Sequence, residues 1–299
     1  MRSIATITLL ALCLGSAGCL VAHEEPAVRG MPRDDRSAPI SAVWVGHATV
    51  LLRIGNRTVL TDPNLGGSII VVPRETPPSL EPWELPPIDV AVLSHMHLDH
   101  FDAPTLRKLG PRPLVVYPEG GEAYADEILQ PRKRALAAWE SVETAGLRVT
   151  AVPARHQGGR YGIDALWNHA YTGYVIEGFG HRIFFAGDTG YDAHLFHEIA
   201  ERFPGIEIAF IPIAPGKKDG PDRWGHANPR QALDIFADVG AHYMVPIHFE
   251  AYYSRGTDHG APRRELAAAV QSRGLGDRVF ALHTGERIVL ASAGPVVMR

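Results

Sequence analysis

Apolar and polar positions alternate along this chain in short runs whose period changes often. Residues 42–45, 49–54, 58–61 and 88–94 are rich in Val, Leu, Ile and Thr and are bounded by Gly, Asn, Asp or Pro, the pattern of β-strands. Val90-Ala91-Val92-Leu93 has no polar interruption, which predicts a strand covered on both faces. Further strands are expected at 113–117, 147–152, 171–177, 182–186, 206–213, 242–248 and 279–290. Helical spacing is clearest over 229–239, with Asn228 as N-cap, Pro229 in the first turn and Gly240 as the stop. Residues 261–273, ended by Gly274, and 102–109, opened by Asp102 and closed by Gly110, read the same way. Strands dominate early and helices separate them later, without the fixed repeat of a solenoid or propeller. The expected fold class is α/β, two packed sheets with helices outside.

Before Ile40 the pattern is different. A basic start, the apolar run 4–14 and the small residues 15–18 before Cys19 have the form of an export signal, and the run is too short to span a bilayer stably. Cys19 after Ala17-Gly18 resembles the lipobox of bacterial lipoproteins, with Ser16 where Leu is usual, and implies membrane attachment through an acylated cysteine. Residues 20–39 are polar, contain proline and lack apolar periodicity, so they read as a tether. The expected division is thus a signal over 1–19, a linker over 20–39 and a catalytic domain over 40–299. Removal of the signal takes Cys13 with it, and the remaining cysteine cannot form an intrachain disulfide. A formal charge of −4 offers no excess of Lys and Arg to neutralise a phosphate backbone, which argues against a nucleic-acid partner.

The densest chemistry is Ser94-His95-Met96-His97-Leu98-Asp99-His100, where the apolar strand ends and just before the helix capped by Asp102. In extended chain residues i and i+2 point the same way, so His95 and His97 converge on one point. Asp99 and His100 follow in the turn, where a changed backbone direction aims them at a second point. Ligand-type residues packed this closely indicate a metal site rather than a solvated turn.

This segment resembles the HxHxDH motif of the metallo-β-lactamase superfamily. That resemblance implies an αββα four-layer sandwich, two mixed β-sheets packed face to face with helices outside. It implies that His156 joins His95 and His97 on one metal. Asp188, in Phe184-Phe185-Ala186-Gly187-Asp188-Thr189-Gly190, would bridge both metals, and His248, in Pro246-Ile247-His248, would join Asp99 and His100 on the second. Such a nitrogen and oxygen donor set suits two Zn²⁺ ions, with Mn²⁺ or Fe²⁺ also compatible. Val43-Trp44-Val45-Gly46-His47-Ala48-Thr49, Leu60-Thr61-Asp62-Pro63 and His226-Ala227-Asn228-Pro229 are similar to the branch containing N-acylphosphatidylethanolamine-hydrolysing phospholipase D and the ascorbate-6-phosphate lactonases. The implied activity is hydrolysis of a phosphodiester, lactone or related ester by metal-held hydroxide, on a small-molecule or lipid-derived substrate. Asp99 and His226 are the candidates for proton handling and charge stabilisation. The alternatives are a periplasmic metal-binding or sensing protein and a β-lactamase-type amide hydrolase. A diiron redox role ranks below these, because that branch usually has Glu where this chain has His97.

Several residues keep two readings. Asp62 either orients a metal ligand or caps the turn at Pro63; His47 either lines the cleft or is structural. His226 either contacts substrate or is a solvated loop residue. Tyr252 and Tyr253 either wall the pocket or pack in the core. Lys217, Lys218 and Arg223 either meet an anionic substrate or are solvated. The export reading has a direct test in cell fractionation. Protein beginning at or close after Cys19 should partition with the cell envelope, and Cys19→Ser should move it to the soluble exported fraction; full-length chain in the cytoplasm would contradict both the signal and the anchor.

Overall fold

Both faces of the first strand, β1 (Ile40–Gly46), are apolar and both are buried. Ile40, Ala42 and Trp44 enter the main core, whereas Val43 and Val45 join a separate cluster with Leu51, Leu60, Leu80 and Ile88. Residues two apart share a face of a strand, so this alternation commits the sheet to cover on both sides.

The computed structural model describes residues 25–31, 38–124, 126–128, 130–161, 164, 167–215, 225–252, 258–291 and 294–299. After β1 come β2 (Thr49–Ile54), β3 (Arg57–Thr61), the small hairpin β4 (Ser68–Ile69) and β5 (Val72–Pro73), and β6 (Val90–Val92). Helix α1 (Ala103–Lys108) precedes β7 (Leu114–Pro118), β8 (Lys133–Leu136), β9 (Ser141–Thr144), β10 (Leu147–Val152), β11 (Gly173–Gly178) and β12 (His181–Phe185). The later part holds α2 (Ala193–Arg202), β13 (Ile208–Pro212), α3 (Pro229–Asp238), β14 (Tyr243–Ile247), α4 (Ala261–Arg273), β15 (Arg287–Ala291) and β16 (Gly294–Met298). An eight-stranded sheet runs β16-β15-β1-β2-β3-β6-β7-β8, and a six-stranded sheet runs β14-β13-β12-β11-β10-β9. Both are mixed: β3, β6, β7 and β8 pair in parallel, as do β12, β13 and β14, and the remaining pairs of the two sheets are antiparallel.

The sheets close on one another through Trp44, Val50 and Val92 from the first and Val149, Tyr174 and Phe185 from the second. Phe196 of α2, Phe236 of α3 and Leu266 of α4 extend that core outside the second sheet. Phe101 and Leu106, at α1, cover Ala91 and Val115 on the outer face of the first. The four layers expected from the sequence are therefore present.

Helix boundaries follow the cap residues. Asn228 accepts from the backbone N–H of Arg230 and Gln231, and Gln231 returns a bond to the backbone of Asn228, a complete capping box. Two expected strands are shorter than their apolar runs. The run 88–94 leaves the ladder after Val92, because the N–H of Ser94 is taken by the carboxylate of Asp62 instead of a neighbouring strand. The run 279–290 is broken by a turn in which the N–H of Glu286 bonds to His283, so only its end forms β15. Residues 25–31 of the region read as a tether lie against the body: Val28 donates to Thr284 and Gly30 to Ser79.

This topology fixes where the chemistry sits. Asp62 follows β3, His95 to His100 follow β6, Asp188 follows β12 and His248 follows β14, while His156 follows β10. Parallel neighbours present their C-terminal ends at the same side of a sheet, so residues far apart in sequence meet at one rim.

Candidate metal centre

Three imidazole nitrogens form the first group. His95 Nε2 lies 2.9 Å from His97 Nδ1, and His156 Nε2 lies 3.4 Å from that same atom. One proton on His97 Nδ1 can serve only one of the two acceptors facing it, whereas a shared cation serves all three. Tetrahedral Zn²⁺ with bonds of about 2.0–2.1 Å sets its ligands about 3.3 Å apart, close to this spacing.

The second group is built around two carboxylates. Asp188 Oδ2 is 3.0 Å from His248 Nε2, 3.3 Å from His100 Nε2, 3.2 Å from His226 Nε2 and 3.9 Å from His156 Nε2. Asp99 Oδ2 is 3.1 Å from His47 Nε2, 3.4 Å from His100 Nε2 and 3.5 Å from His248 Nε2. Asp188 thus touches residues of both groups. Its other oxygen, Oδ1, is buried and has no hydrogen-bond partner among the described residues. A buried carboxylate oxygen left unpaired is costly, and a cation is the natural partner for it. The donors present therefore fit divalent metal.

Four of the imidazoles are aimed from behind. His100 Nδ1 donates to Asp62 Oδ2 at 2.6 Å, and Ser94 donates to Asp62 through both its N–H and its hydroxyl, each at 2.6 Å. Because that hydroxyl proton goes to Asp62, His95 Nδ1 must donate to Ser94 Oγ, 2.9 Å away. His248 Nδ1 donates to the carbonyl of Ala214 at 2.8 Å and His156 Nδ1 to that of Gly225 at 3.1 Å. Carbonyls and carboxylates only accept, so these contacts place the proton on Nδ1 of all four rings and turn Nε2 to the centre. Two glycines make the approach possible. A Cβ on Gly187 would lie 2.3 Å from that of Ser94, and one on Gly225 would lie 2.3 Å from the carbonyl oxygen of Arg155. His47, Asp62 and His248 adopt positive φ of 57°, 33° and 62°, a conformation that side chains resist at about 1–3 kcal/mol each and that clusters at functional sites.

The charges divide by group. Burial pushes His95 well below the usual histidine range, helped by His100 and His97, and lowers His156 to about 3. Burial and the neighbouring His248 lower His47 to about 3. For His248 burial acts downward too, but Asp188 and Asp99 outweigh it and raise the ring to about 9; His100 is raised as well, against its burial, by Asp188, Asp99 and Asp62. Asp99 and Asp188 are held well below the carboxylate range, burial notwithstanding, by His100 beside Asp99 and by His248 and His100 beside Asp188. The first group is thus neutral and ready to ligate, and the second carries protons that a cation would displace.

All seven residues expected to hold metal, His95, His97, Asp99, His100, His156, Asp188 and His248, come together here, and His226 stands at their edge with its side chain 15% exposed. Of the open readings, Asp62 orients His100, and His47 donates to Asp99. Tyr252 borders a cavity of about 300 Å³ beside Asp99 and His248, with Ile69 and Phe249 among its apolar lining. Sequence reasoning missed the relay through Ser94, the Ala214 and Gly225 carbonyls, and the contact of His47 with Asp99. Cys19, Lys217, Lys218, Arg223 and Tyr253 lie outside the described residues.

A four-layer sandwich with a histidine and aspartate cluster at its strand ends defines the metallo-β-lactamase class of fold. The chain belongs to that superfamily: residues 57–249 match the β-lactamase superfamily domain. An uncharacterized protein of Mycobacterium tuberculosis is 32% identical over 246 residues, which are 78% of this chain and 64% of that protein. The N-acyl-phosphatidylethanolamine-hydrolyzing phospholipase D of Saccharomyces cerevisiae is 27% identical, over 83% of this chain and 55% of its own. The chain therefore spans less than two thirds of the length of these relatives. The isothiocyanate hydrolase from Delia radicum gut bacteria superposes with a TM-score of 0.65 over 83% of this chain and 98% of that one; at 18% identity this bears on the fold alone.

The proton distribution has a consequence for the metal-free protein. An unfolded histidine titrates near 6.5, so the raised His248 favours folding fully below that pH, and the benefit is lost as pH rises through about 9. His47 and His156, lowered to about 3, act oppositely: below about 6.5 the unfolded chain binds protons that the folded one refuses. The urea midpoint of chelator-treated protein should accordingly be highest near neutrality and fall towards pH 9 and towards pH 4. A midpoint climbing steadily from pH 6.5 to 9 would contradict these assignments.

Proposed function

We propose that this chain is a hydrolase that uses two divalent cations, zinc in the first instance, on a phosphodiester, lactone or related ester. The observation carrying this reading is the arrangement at Asp188, one buried carboxylate within reach of imidazoles from both groups and with an oxygen left unpaired. In this reading His95, His97 and His156 would hold one cation and Asp99, His100 and His248 the other, with Asp188 within reach of both groups. When bound, such a pair supplies an acidified water at neutral pH and polarises the scissile group.

The chain's own side chains then do the following. Asp188 places a negative charge between the two groups, where it would offset the repulsion of cations held there. Asp99, whose side chain is 24% exposed, faces the cavity and takes the proton of the attacking water, steadied by the bond from His47. His226 meets negative charge developing on the substrate. The cavity beside Asp99, with its apolar lining, takes the group attached to the scissile bond. The phosphodiester or lactone assignment rests on the similarity to the phospholipase and on the motifs at Trp44 to Thr49 and at His226. Through Cys19 the domain would be held at the cell envelope, near lipid-derived substrates.

Zinc-loaded protein should contain two metal ions per chain and turn over bis(4-nitrophenyl) phosphate or a lactone. Asp188→Ala should lose both turnover and metal. Full retention of two tightly held ions in that variant would refute the bridge, and hydrolysis of β-lactams alone would overturn the substrate class. If Lys217, Lys218 and Arg223 meet an anionic substrate, their joint replacement by Ala raises KM for a phosphodiester and spares a neutral lactone.

A further inference from the structure

The turn that carries His97, Asp99 and His100 is held at both ends by one side chain outside it. Arg160 is buried, and its Nη1 donates to the carbonyl of Met96 at 3.1 Å and to that of Phe101 at 3.0 Å, the residues that bracket the turn. Its Nε donates to Glu127 Oε2 at 3.0 Å, and its guanidinium lies over the ring of Phe101, 4.2 Å from the centroid. Within the turn the N–H groups of His100 and Phe101 both go to the carbonyl of His97. The bracketing carbonyls receive Arg160 instead. Asn64 Nδ2 donates to the carbonyl of Leu98 at 3.0 Å, so a second side chain holds the turn between those two ends.

Arg160 is itself fixed. Its backbone N–H and that of Tyr161 both donate to Asp164, at 2.8 and 2.9 Å, and the hydroxyl of Tyr124 reaches the same carboxylate. It also stands four residues after His156, in the loop that delivers that imidazole. One loop therefore supplies a ring of the first group and the clamp for the turn carrying His97, Asp99 and His100.

We infer that Arg160 is a positioning residue for the metal-binding turn, tying the placement of His97, Asp99 and His100 to that of His156. The inference rests on the proposed metal-binding role of these residues. A planar guanidinium suits the task because two hydrogens on one nitrogen reach two carbonyls while Nε engages a carboxylate; lysine keeps the charge but not the fork. Outer partners that orient ligands typically govern metal affinity by about 10–100-fold.

The test is zinc affinity measured by competition with a chromogenic chelator, on wild type, Arg160→Lys and Arg160→Ala, with the visible spectrum of the Co²⁺ forms as a second readout. Both variants should bind zinc about 10–100-fold more weakly than wild type and shift the Co²⁺ bands. Guanidinium ion at millimolar concentration, far below denaturing levels, should restore part of the affinity of Arg160→Ala and none of that of a His156→Ala control. Should Arg160→Ala fail to fold, Arg160→Lys carries the comparison alone. Folded variants with wild-type affinity and unchanged Co²⁺ spectra overturn the clamp while leaving the metal site standing. Wild-type protein that binds no metal overturns the proposed function, and the clamp with it.

Discussion

The carboxylate of Asp62, wholly buried at the end of β3, is the contact on which the rest of the site depends. A buried carboxylate without donors is among the most expensive groups a protein can hold, and this one has three, from the N–H of Ser94, the hydroxyl of Ser94 and Nδ1 of His100. The parallel register sets up that meeting: Thr61 pairs with Val92, and the N–H of Asp62 continues the ladder to the carbonyl of Val92. Sheet geometry thus puts one acceptor where it ends a strand, turns the chain into the histidine-rich segment and sets the orientation of two rings at once.

The same satisfaction of buried polar groups explains what the sequence could and could not reveal. His95, His97, Asp99 and His100 were legible because strand period and a turn place them together locally. His156, Asp188 and His248 come from distant strands, and only resemblance to a family connected them; no local pattern encodes the approach of Gly187 to Ser94. The backbone carbonyls of Ala214 and Gly225 are invisible to any reading of side chains. Arg160 carries no signal of its own, since nothing near it in sequence shows that its partners are Met96 and Phe101.

The fold was legible in its buried parts and less so at its margins. Strands β10 and β2 and helices α3 and α4 match their apolar runs and caps closely. Strands β8 and β9 were missed because Lys133-Arg134-Ala135-Leu136 and Ser141-Val142-Glu143-Thr144 are sheet-edge segments with little apolar content. Helix α2 did carry a signal, Asp192 as cap with Leu195, Phe196 and Ile199 on one side, but two histidines and several charges diluted it.

The centre's opposing charges follow from where each ring finds its partner. Rings backed only by a carbonyl or hydroxyl and packed among other rings, His95 and His156, stay neutral; His100 and His248, facing two carboxylates, hold protons in place of cations. Both arrangements require the same orientation, with Nε2 turned inward on four rings and Nδ1 inward on His97 alone. The most direct measurement is therefore the tautomer pattern by long-range ¹H–¹⁵N correlation in the zinc-loaded protein. The expected result is a proton on Nδ1 of His95, His100, His156 and His248 and on Nε2 of His97; protons on Nε2 of His95 and His100 would contradict the orienting role of Asp62 and Ser94.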